Sequence, residues 1–270
     1  MNAPTRRYNA RVTAREETAP GRLLLRVLPD APHRVFEPGQ YLPLGLFARE
    51  GRAGDVPPAS PDPPPDRLIR RPYSMTSRPD EGEREFYISL VPDGALTPRL
   101  FALRAGDPLW IAPVPRGAFT ASPVPPDRGL ILIAAGTGVA PFVSMIRSRS
   151  AGDPRRWALL HGARRAGELG FREELESSAR GDGRLLYFPA VTRPGPEERW
   201  NGPMGRVNVF LDDGSFERAF GETIEPGRHH VFLCGAPDMV HDLRERFEAR
   251  GFTLADEETG SGGDLHVDSF

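Results

Sequence analysis

Short hydrophobic stretches separated by turn residues characterise the N-terminal part of the chain. Their spacing favours an antiparallel β-barrel, although the alternation of apolar and polar positions is imperfect, as at 23–27. A short helix is expected at 97–103, and an exposed proline-rich loop at 48–66. The predicted strands are 11–15, 22–28, 40–46, 68–76, 85–91 and 109–112. These elements predict a six-stranded antiparallel β-barrel domain at 1–120.

A continuous apolar run at 129–135 begins a different pattern, because such a run is typical of a strand buried on both faces. Strands and helices alternate after it, which predicts a parallel sheet with right-handed crossovers. The predicted strands are 129–135, 157–163, 185–191 and 230–234, and the helices are 140–149, 168–179 and 237–250. We therefore expect a Rossmann-like α/β domain at 129–270, joined to the barrel by a proline-rich linker at 121–128.

Composition limits the chemistry that the chain can perform. All 35 basic residues are arginine and the formal net charge is −2, so nucleic-acid binding is not expected and anions must meet guanidinium groups, helix ends or hydroxyls. The single cysteine, Cys234, excludes an internal disulfide, an iron–sulfur cluster and a zinc ribbon, and the six histidines lack metal-ligand spacing. The sequence also lacks a signal-peptide core and an apolar run of membrane-spanning length, which predicts a cytoplasmic protein.

The glycines Gly136 and Gly138 flank Thr137 at the point where a buried strand gives way to a helix. There a main chain without side chains can approach a pyrophosphate, and helix amides face the anion. The spacing departs from the dinucleotide fingerprint, because Pro141 stands where its third glycine would be. On the glycines alone, a tight turn that binds nothing is an equally good interpretation.

Arginines at strand ends strengthen the nucleotide hypothesis. Arg164 and Arg165 follow Ala163 at the end of the second strand, where NAD-binding folds place a carboxylate for the ribose 2′-hydroxyl. Guanidinium there suits a 2′-phosphate instead. Arg193 and Arg206 could complete the anion pocket, although any one of these arginines could equally be a solvated surface residue.

The motifs, in their order along the chain, resemble those of the ferredoxin/flavodoxin–NADP⁺ reductases, particularly the bacterial type. An Arg-x-Tyr-Ser tetrad precedes a Gly-Thr-Gly-x-x-Pro segment and a Leu-Cys-Gly-x-Pro-x-Met-Val segment, and this combination is highly specific. The matching segments are 36–41, 71–74, 91–100, 134–142, 159–175, 191–193, 205–206, 233–240 and 266–270. The resemblance implies a reductase with FAD and NADP(H) as cofactors and a ferredoxin or flavodoxin as partner.

For the barrel, the resemblance implies an FAD site built around the tetrad. Arg71 would pair with the FAD pyrophosphate, Tyr73 would pack on the isoalloxazine, and the Ser74 hydroxyl would lie near flavin N5. The amides at the start of the short helix and the hydroxyl of Thr97 would hold the FAD phosphates. The other implied FAD contacts are Pro72, Tyr87, Ile88, Ser89, Ala95, Leu96, Thr137 and Phe270.

For the α/β domain, the resemblance implies that Arg164, Arg193 and Arg206 hold the NADP 2′-phosphate. Cys234 resembles the cysteine beside the nicotinamide, although its type and position also fit a buried small hydrophobic residue. The full set of implied NADP contacts is Gly136, Gly138, Ala163, Arg164, Arg165, Thr192, Arg193, Arg206, Cys234 and Gly235.

The C-terminus departs from the plant-type pattern, which ends in Glu-x-Tyr. Phe270 can still cover the flavin but lacks a hydroxyl, and Asp268 could supply the acidic function with a shorter reach. Ser74, Cys234 and Asp268 are therefore the candidate catalytic residues. The alternative interpretation is a frayed tail after 257–264.

Two other functions remain open on the sequence. The first is a stand-alone NADPH-dependent flavin reductase that serves an oxygenase or another acceptor; only a fused plant-type ferredoxin domain is excluded by the single cysteine. The second is a nucleotide-binding regulatory module without turnover, which the retained tetrad and Gly-Thr-Gly loop argue against. No membrane partner is expected, and a monomer is favoured.

Overall fold

The computed structural model describes residues 8–32, 34–54 and 63–270. It divides into two compact units, the first formed by Met1–Phe36 and Gln40–Arg116, the second by Glu37–Gly39 and Gly117–Phe270. The central part of the proline-rich loop predicted at 48–66 lies outside the described residues. No helix in the described ranges combines the length and apolar character needed to span a membrane.

The first unit is a six-stranded antiparallel sheet that closes into a barrel. Its strands are β1 Ala10–Ala19, β2 Arg22–Pro29, β3 Tyr41–Phe47, β4 Leu68–Ser74, β5 Arg84–Ser89 and β6 Pro108–Ile111, with helix α1 at Thr97–Ala102. The strand order is β4-β3-β6-β1-β2-β5. The two outer strands are joined by a bridge between Met75 and Phe86 and by a hydrogen bond from Thr76 N to Glu85 O (2.9 Å). The predicted barrel is confirmed.

Alternating apolar side chains fill the barrel interior. Leu23, Leu25 and Val27 of β2 are fully buried, whereas Arg26 between them is exposed. The first strand is longer than the predicted 11–15, because its polar end pairs with β2 across a register irregularity between Glu17 and Ala19. A strand end of this kind, with exposed side chains, gives no hydrophobic pattern.

The second unit is a five-stranded parallel sheet with helices in its crossovers. Its strands are β7 Gly129–Ala135, β8 Trp157–Ala163, β9 Leu185–Val191, β10 His229–Gly235 and β11 Leu265–Ser269. Its helices are α2 Ala140–Ser148, α3 Arg172–Gly181, α4 Val209–Asp212, α5 Ser215–Phe220 and α6 Pro237–Glu248, and 3₁₀ turns lie at Gly136–Val139 and Ala166–Glu168. The strand order β11-β10-β7-β8-β9 reverses direction between β7 and β10, which makes that crevice the topological switch point.

The α/β prediction is confirmed, with local differences. Helix α3 begins at Arg172 and not at 168, because Phe171 adopts a left-handed conformation (φ 62°) that interrupts the helix. The strand at 265–269 and the two short helices α4 and α5 were not predicted. Strand β11 pairs in parallel with β10 along its whole length, so the interpretation of the C-terminus as a frayed tail is wrong.

The segment 121–128, which the sequence suggested as a linker, packs on the second unit. Val124 is buried, and the guanidinium of Arg155 donates to the carbonyls of Ala121 (3.3 Å) and Val124 (3.4 Å). The Ser122 hydroxyl donates to a carboxylate oxygen of Glu37 (2.5 Å), which belongs to the same unit. The boundaries of the two cofactor-binding domains remain predictions.

Candidate functional site

The guanidinium of Arg71 is exposed on strand β4 and available to an anion. Its one hydrogen bond among the described residues runs from Nη1 to the main-chain oxygen of Arg70 (2.8 Å), and it has no carboxylate partner there. The main chain at Arg71 is held in register with Leu44 of β3. Guanidinium groups favour phosphate oxygens through paired, charge-assisted hydrogen bonds, so Arg71 fits the predicted pyrophosphate contact.

Tyr73 and Ser74 end strand β4 and are both half-buried. Tyr73 packs against the barrel core, and its burial raises the pKa of the phenol, an effect that the charge of Arg71 partly opposes. The ring is therefore neutral at physiological pH and offers an uncharged aromatic surface. Ser74 pairs with Tyr41 of β3, which places its hydroxyl at the end of the same strand.

Strand β5 offers mainly its backbone to a ligand. Tyr87 and Ile88 are 3% and 1% exposed, and Ile88 belongs to the hydrophobic core of the barrel. Ser89 is half-buried at the end of the strand and pairs with Arg22 of β2. Any contact that Ile88 makes with a ligand is therefore limited to main-chain atoms.

The turn before helix α1 is fixed by a side chain that was expected to bind phosphate. The hydroxyl of Thr97 donates to Val91 O (3.1 Å) and accepts from Val91 N (2.9 Å), and Thr97 is buried. Both of these hydrogen bonds close the turn, and the phosphate contact of the Thr97 hydroxyl stays a prediction. The side chain of Leu96 is also buried in the core, which leaves the main chain at Ala95, Leu96 and Thr97 for a ligand.

Two arginines that the sequence did not single out anchor this turn. Arg52 donates to the carbonyls of Pro92 (3.2 Å) and Gly94 (3.1 Å). Buried Arg99 donates from Nη1 to Ala95 O (2.6 Å) and from Nε to the carbonyl of Ala48 (3.1 Å). Nothing in the pattern distinguishes them from surface arginines, because the contacts join distant segments.

The glycine loop of the second unit lies at the topological switch point. A Cβ on Gly138 would overlap the carbonyl of Cys234, and a Cβ on Gly235 would lie 3.1 Å from Ala135 O. Gly235 also has a φ of +148°, which disfavours any other residue. The main chains at the ends of β7 and β10 therefore approach closely, and Thr137, next to Gly138 in the loop, is buried. Ligands of open α/β sheets bind in such a crevice.

A buried histidine lies directly beneath this loop. His161 of β8 pairs with Ala134 of β7, and its Nδ1 lies 3.0 Å from the hydroxyl of Tyr187 on β9. Burial lowers the pKa of His161 to about 4, so the imidazole is neutral at physiological pH. This pair could not be predicted from the sequence, because its members lie on different strands.

The arginines predicted to bind phosphate lie on adjacent loops at the carboxyl edge of the sheet. Thr192 N donates to Ala163 O (3.1 Å), and Arg193 N donates to Arg164 O (2.8 Å), so these two loops run side by side. The side chains of Arg164 and Arg193 are exposed and have no hydrogen bond or ion pair within the described residues. Two exposed guanidinium groups without a partner among the described residues thus belong to adjacent loops.

Arg206 and Arg165 each lie near a carboxylate. Arg206 is 74% exposed, its Nη1 lies 4.0 Å from Asp242 Oδ2, and the preceding residue, Gly205, donates to Val191 O (2.9 Å) at the end of β9. Arg165 lies close enough to Glu198 for its charge to contribute to the lowered pKa of that carboxyl. The structure therefore brings the predicted arginines to one edge, with Arg164 and Arg193 the least engaged.

Cys234 and Asp268 are brought together by the pairing of β10 with β11. Their backbones are in register, and Cys234 Sγ lies 4.0 Å from Asp268 Oδ2. Burial raises the pKa of both groups, and the carboxylate raises that of the thiol further. The thiol is therefore protonated and buried. Phe270 follows at the edge of the sheet, where its N–H donates to Gly235 O (3.3 Å) and its side chain is 60% exposed.

Stability should fall in mild acid because of two buried histidines. Burial lowers the pKa of His161 to about 4 and that of His266 to about 3. The charge of His230, whose Nδ1 lies 3.0 Å from His266 Nε2, lowers the pKa of His266 further. Both values lie below the ordinary 6.5, so the unfolded chain binds more protons. The stabilisation is complete above the unfolded pKa and is lost as pH falls towards the folded values.

For each of these histidines, the free energy of unfolding should fall by about 2 kcal/mol when the pH is lowered from about 7 to about 5. Urea unfolding at the two pH values, at a fixed FAD concentration, measures this loss. His161→Gln and His266→Gln should each reduce it, whereas His241→Gln, on the exposed surface of α6, should leave it unchanged. An equal pH dependence in all four proteins would contradict this account.

The comparisons with known proteins agree with the fold and with the family that the motifs resemble. A family model described as "Oxidoreductase NAD-binding domain" matches residues 132–245. The flavodoxin/ferredoxin–NADP reductase of Escherichia coli (strain K12) is 32% identical over 218 residues, which are 79% of each chain. Ferredoxin–NADP reductase B of Sorangium cellulosum (strain So ce56) is 35% identical over 213 residues, 78% of each. A crystal structure of a ferredoxin NADP⁺ reductase from Neisseria gonorrhoeae, with bound FAD and NADP, superposes with a TM-score of 0.79 at 20% identity, over 97% of both chains.

The fold and the switch-point site define a two-unit oxidoreductase with a nucleotide-binding α/β sheet. At this level of identity over most of both chains, the protein belongs to the flavodoxin/ferredoxin–NADP reductase family, as its motifs predicted.

Proposed function

We propose that this protein is an FAD-dependent reductase that exchanges hydride with NADP(H) and single electrons with a ferredoxin or flavodoxin. The observation that carries the proposal is that Arg164 and Arg193, whose side chains have no partner among the described residues, lie on adjacent loops at the carboxyl edge of the sheet that also carries the glycine loop. Such a loop suits a pyrophosphate, and the guanidinium groups suit the additional 2′-phosphate that distinguishes NADP(H) from NAD(H). The related reductases named above support the same function.

The first unit is proposed to hold FAD. Arg71 binds the pyrophosphate and Tyr73 packs on the isoalloxazine. The small hydroxyl of Ser74 lies near flavin N5 and leaves that atom approachable. An exposed guanidinium without a carboxylate partner among the described residues and a neutral, half-buried aromatic ring fit these roles. The adenosine half is assigned to the main chain at Tyr87, Ile88 and Ser89, and the phosphates to the main chain at Ala95, Leu96 and Thr97, with Pro72 beside the flavin. When bound, FAD supplies the step from two-electron to one-electron transfer.

The second unit is proposed to hold NADP(H). The main chain at Gly136 and Gly138 approaches the pyrophosphate, and Thr137 contacts the nicotinamide or the flavin. Arg164, Arg193 and Arg206 hold the 2′-phosphate, whereas Arg165 is shared with Glu198. The remaining contacts are assigned to Ala163, Thr192, Cys234 and Gly235.

Cys234 and Asp268 are proposed to shape the nicotinamide pocket and to handle protons. A protonated, buried thiol presents a small apolar surface to the ring and does not act as a nucleophile. Asp268 has a raised pKa and so holds a proton at Oδ2 more readily than an ordinary aspartate. Because the Asp268 carboxyl lies 4.0 Å from Cys234 Sγ, the two groups are assigned to the same part of the nicotinamide pocket.

Phe270 is proposed to cover the flavin and to move when nicotinamide binds. Phe270→Ala should therefore increase nicotinamide occupancy over the flavin, because an apolar competitor with an exposed ring is removed. The amplitude of the NADP⁺ difference spectrum of the flavin measures this occupancy, and Phe270→Trp, which keeps an aromatic ring, is the control. Identical spectra for the alanine variant and the unmodified protein would rule out this role.

Anaerobic mixing tests the function as a whole. The FAD-loaded protein is mixed with NADPH or NADH and then with ferredoxins and flavodoxins, and flavin and carrier reduction are followed by absorbance. Fast flavin reduction by NADPH followed by carrier reduction is expected. Reduction of an oxygenase component but of no ferredoxin or flavodoxin would favour a dedicated oxygenase reductase. A colourless protein without NADPH-dependent dye reduction would favour a regulatory module.

A further inference from the structure

One carboxylate fastens the loop after β9 to the turn after β8. Glu198 Oε2 accepts hydrogen bonds from Gly195 N (2.8 Å) and Ala166 N (3.1 Å), and Oε1 accepts from Gly167 N (3.3 Å). The charge of the carboxylate strengthens these bonds, and they lower the pKa of Glu198. We call this arrangement, formed by Glu198 and the amides of 166, 167 and 195, the carboxylate clasp.

A tryptophan in the same loop packs against the ends of the two strands. Trp200 packs on a small hydrophobic cluster at the ends of β8 and β9, and its Nε1 donates to Pro203 O (3.1 Å). The guanidinium of Arg172 lies over its ring, 4.8 Å from the centroid. A Cβ at Gly202 would come within 2.5 Å of the ring, so the loop is folded tightly around the indole. The clasp therefore joins two ordered segments.

The two joined segments are those that carry the free arginines. Arg164 stands two residues before Ala166, and Arg193 two residues before Gly195. Two main-chain hydrogen bonds, from Thr192 N to Ala163 O (3.1 Å) and from Arg193 N to Arg164 O (2.8 Å), join the strand ends, and the clasp adds a side-chain contact between the two loops just beyond the two arginines. We propose that Glu198 is a positioning residue that presets Arg164 and Arg193 for the 2′-phosphate of NADP(H). This proposal rests on the function proposed above.

The sign of the effect separates positioning from simple electrostatics. A carboxylate beside an anion site repels the anion, so its removal should improve phosphate binding if charge alone matters. If the clasp holds the arginines in place, its removal makes the nucleotide bear the cost of ordering them and weakens phosphate binding. Glu197 offers a matched control, because it is an exposed carboxylate in the same loop outside the clasp.

The test compares Glu198→Ala, Glu198→Gln and Glu197→Ala in the FAD-loaded enzyme. In Glu198→Ala, the KM for NADPH and the Kd for adenosine 2′-monophosphate should rise about tenfold, the loss expected for charge-assisted hydrogen bonds. The kcat and the KM for NADH should not change. Glu198→Gln keeps an acceptor for Gly195 and Ala166 and should lie between, and Glu197→Ala should match the unmodified protein or bind slightly tighter.

Coupling to Arg164 completes the test. If Glu198 acts through that residue, Glu198→Ala should have a much smaller effect on adenosine 2′-monophosphate binding in an Arg164→Ala background. Unchanged or tighter binding in Glu198→Ala would overturn the inference and leave the proposed function intact, as would equal losses for NADPH and NADH. Absence of any NADPH preference in the unmodified enzyme would instead overturn the 2′-phosphate assignment itself. Should Glu198→Ala unfold, the same comparisons on Glu198→Gln decide the matter.

Discussion

Arg71→Ala is expected to purify largely without FAD and to bind added FAD about 100-fold more weakly, because two charge-assisted hydrogen bonds to the pyrophosphate are lost. The fold should be unaffected, since the Arg71 side chain is exposed and bonds only to the neighbouring carbonyl of Arg70 among the described residues. FAD content after purification and the Kd from fluorescence quenching measure the effect.

Arg70→Ala is the matched control for this prediction. Arg70 occupies the adjacent position on β4 and is also exposed, but its guanidinium lies over the ring of Trp110, 5.3 Å from the centroid. Its loss removes the same charge without removing the proposed pyrophosphate contact, so FAD content should stay normal. Arg71→Lys should bind FAD weakly as well, because an ammonium keeps the charge but not the paired geometry. Normal FAD content in Arg71→Ala would disprove the assignment of this residue.

Elements that carry their own hydrophobic signal were predicted well. Strands β7 and β8 begin and end at the predicted residues, because each is a mainly apolar run buried on both faces, with His161 the one polar residue of the two strands. Strand β11 was missed, since Leu265–Ser269 is short and its last two residues are polar. The strand is stabilised by pairing with β10, a contact between distant segments that a local sequence pattern cannot indicate.

The candidate site divides in the same way. The positions of Gly138 and Arg164 could be predicted, because a tight turn and a strand end place them, and that of Arg71 because the Arg-x-Tyr-Ser tetrad falls on a predicted strand. Features made by two distant segments could not, such as the approach of Cys234 to Asp268. Thr97 is a further example. Its position at the start of a helix predicts a phosphate ligand, whereas its hydrogen bonds to Val91, which close the turn, could not be predicted from the sequence.

The strongest effect on nucleotide choice is expected from Arg164→Ala, with a KM for NADPH raised roughly 10- to 100-fold, the cost of removing hydrogen bonds between a guanidinium and a phosphate. NADH lacks the 2′-phosphate, so its KM should change little, and the preference for NADPH should collapse. The side chain of Arg164 has no hydrogen bond or ion pair with other described residues, and its removal should leave folding stability unchanged.

Steady-state kinetics with both nucleotides measure this change, and Arg180→Ala provides the control, because Arg180 lies in the last turn of α3, away from the strand ends that carry Arg164. That variant loses the same charge and should keep its preference for NADPH. Arg206→Ala should act in the same direction as Arg164→Ala, but less strongly, since Asp242 lies 4.0 Å from its guanidinium and competes for it. Equal losses for NADPH and NADH in Arg164→Ala would mean that the residue supports the shared part of the nucleotide, and the 2′-phosphate assignment would then be wrong.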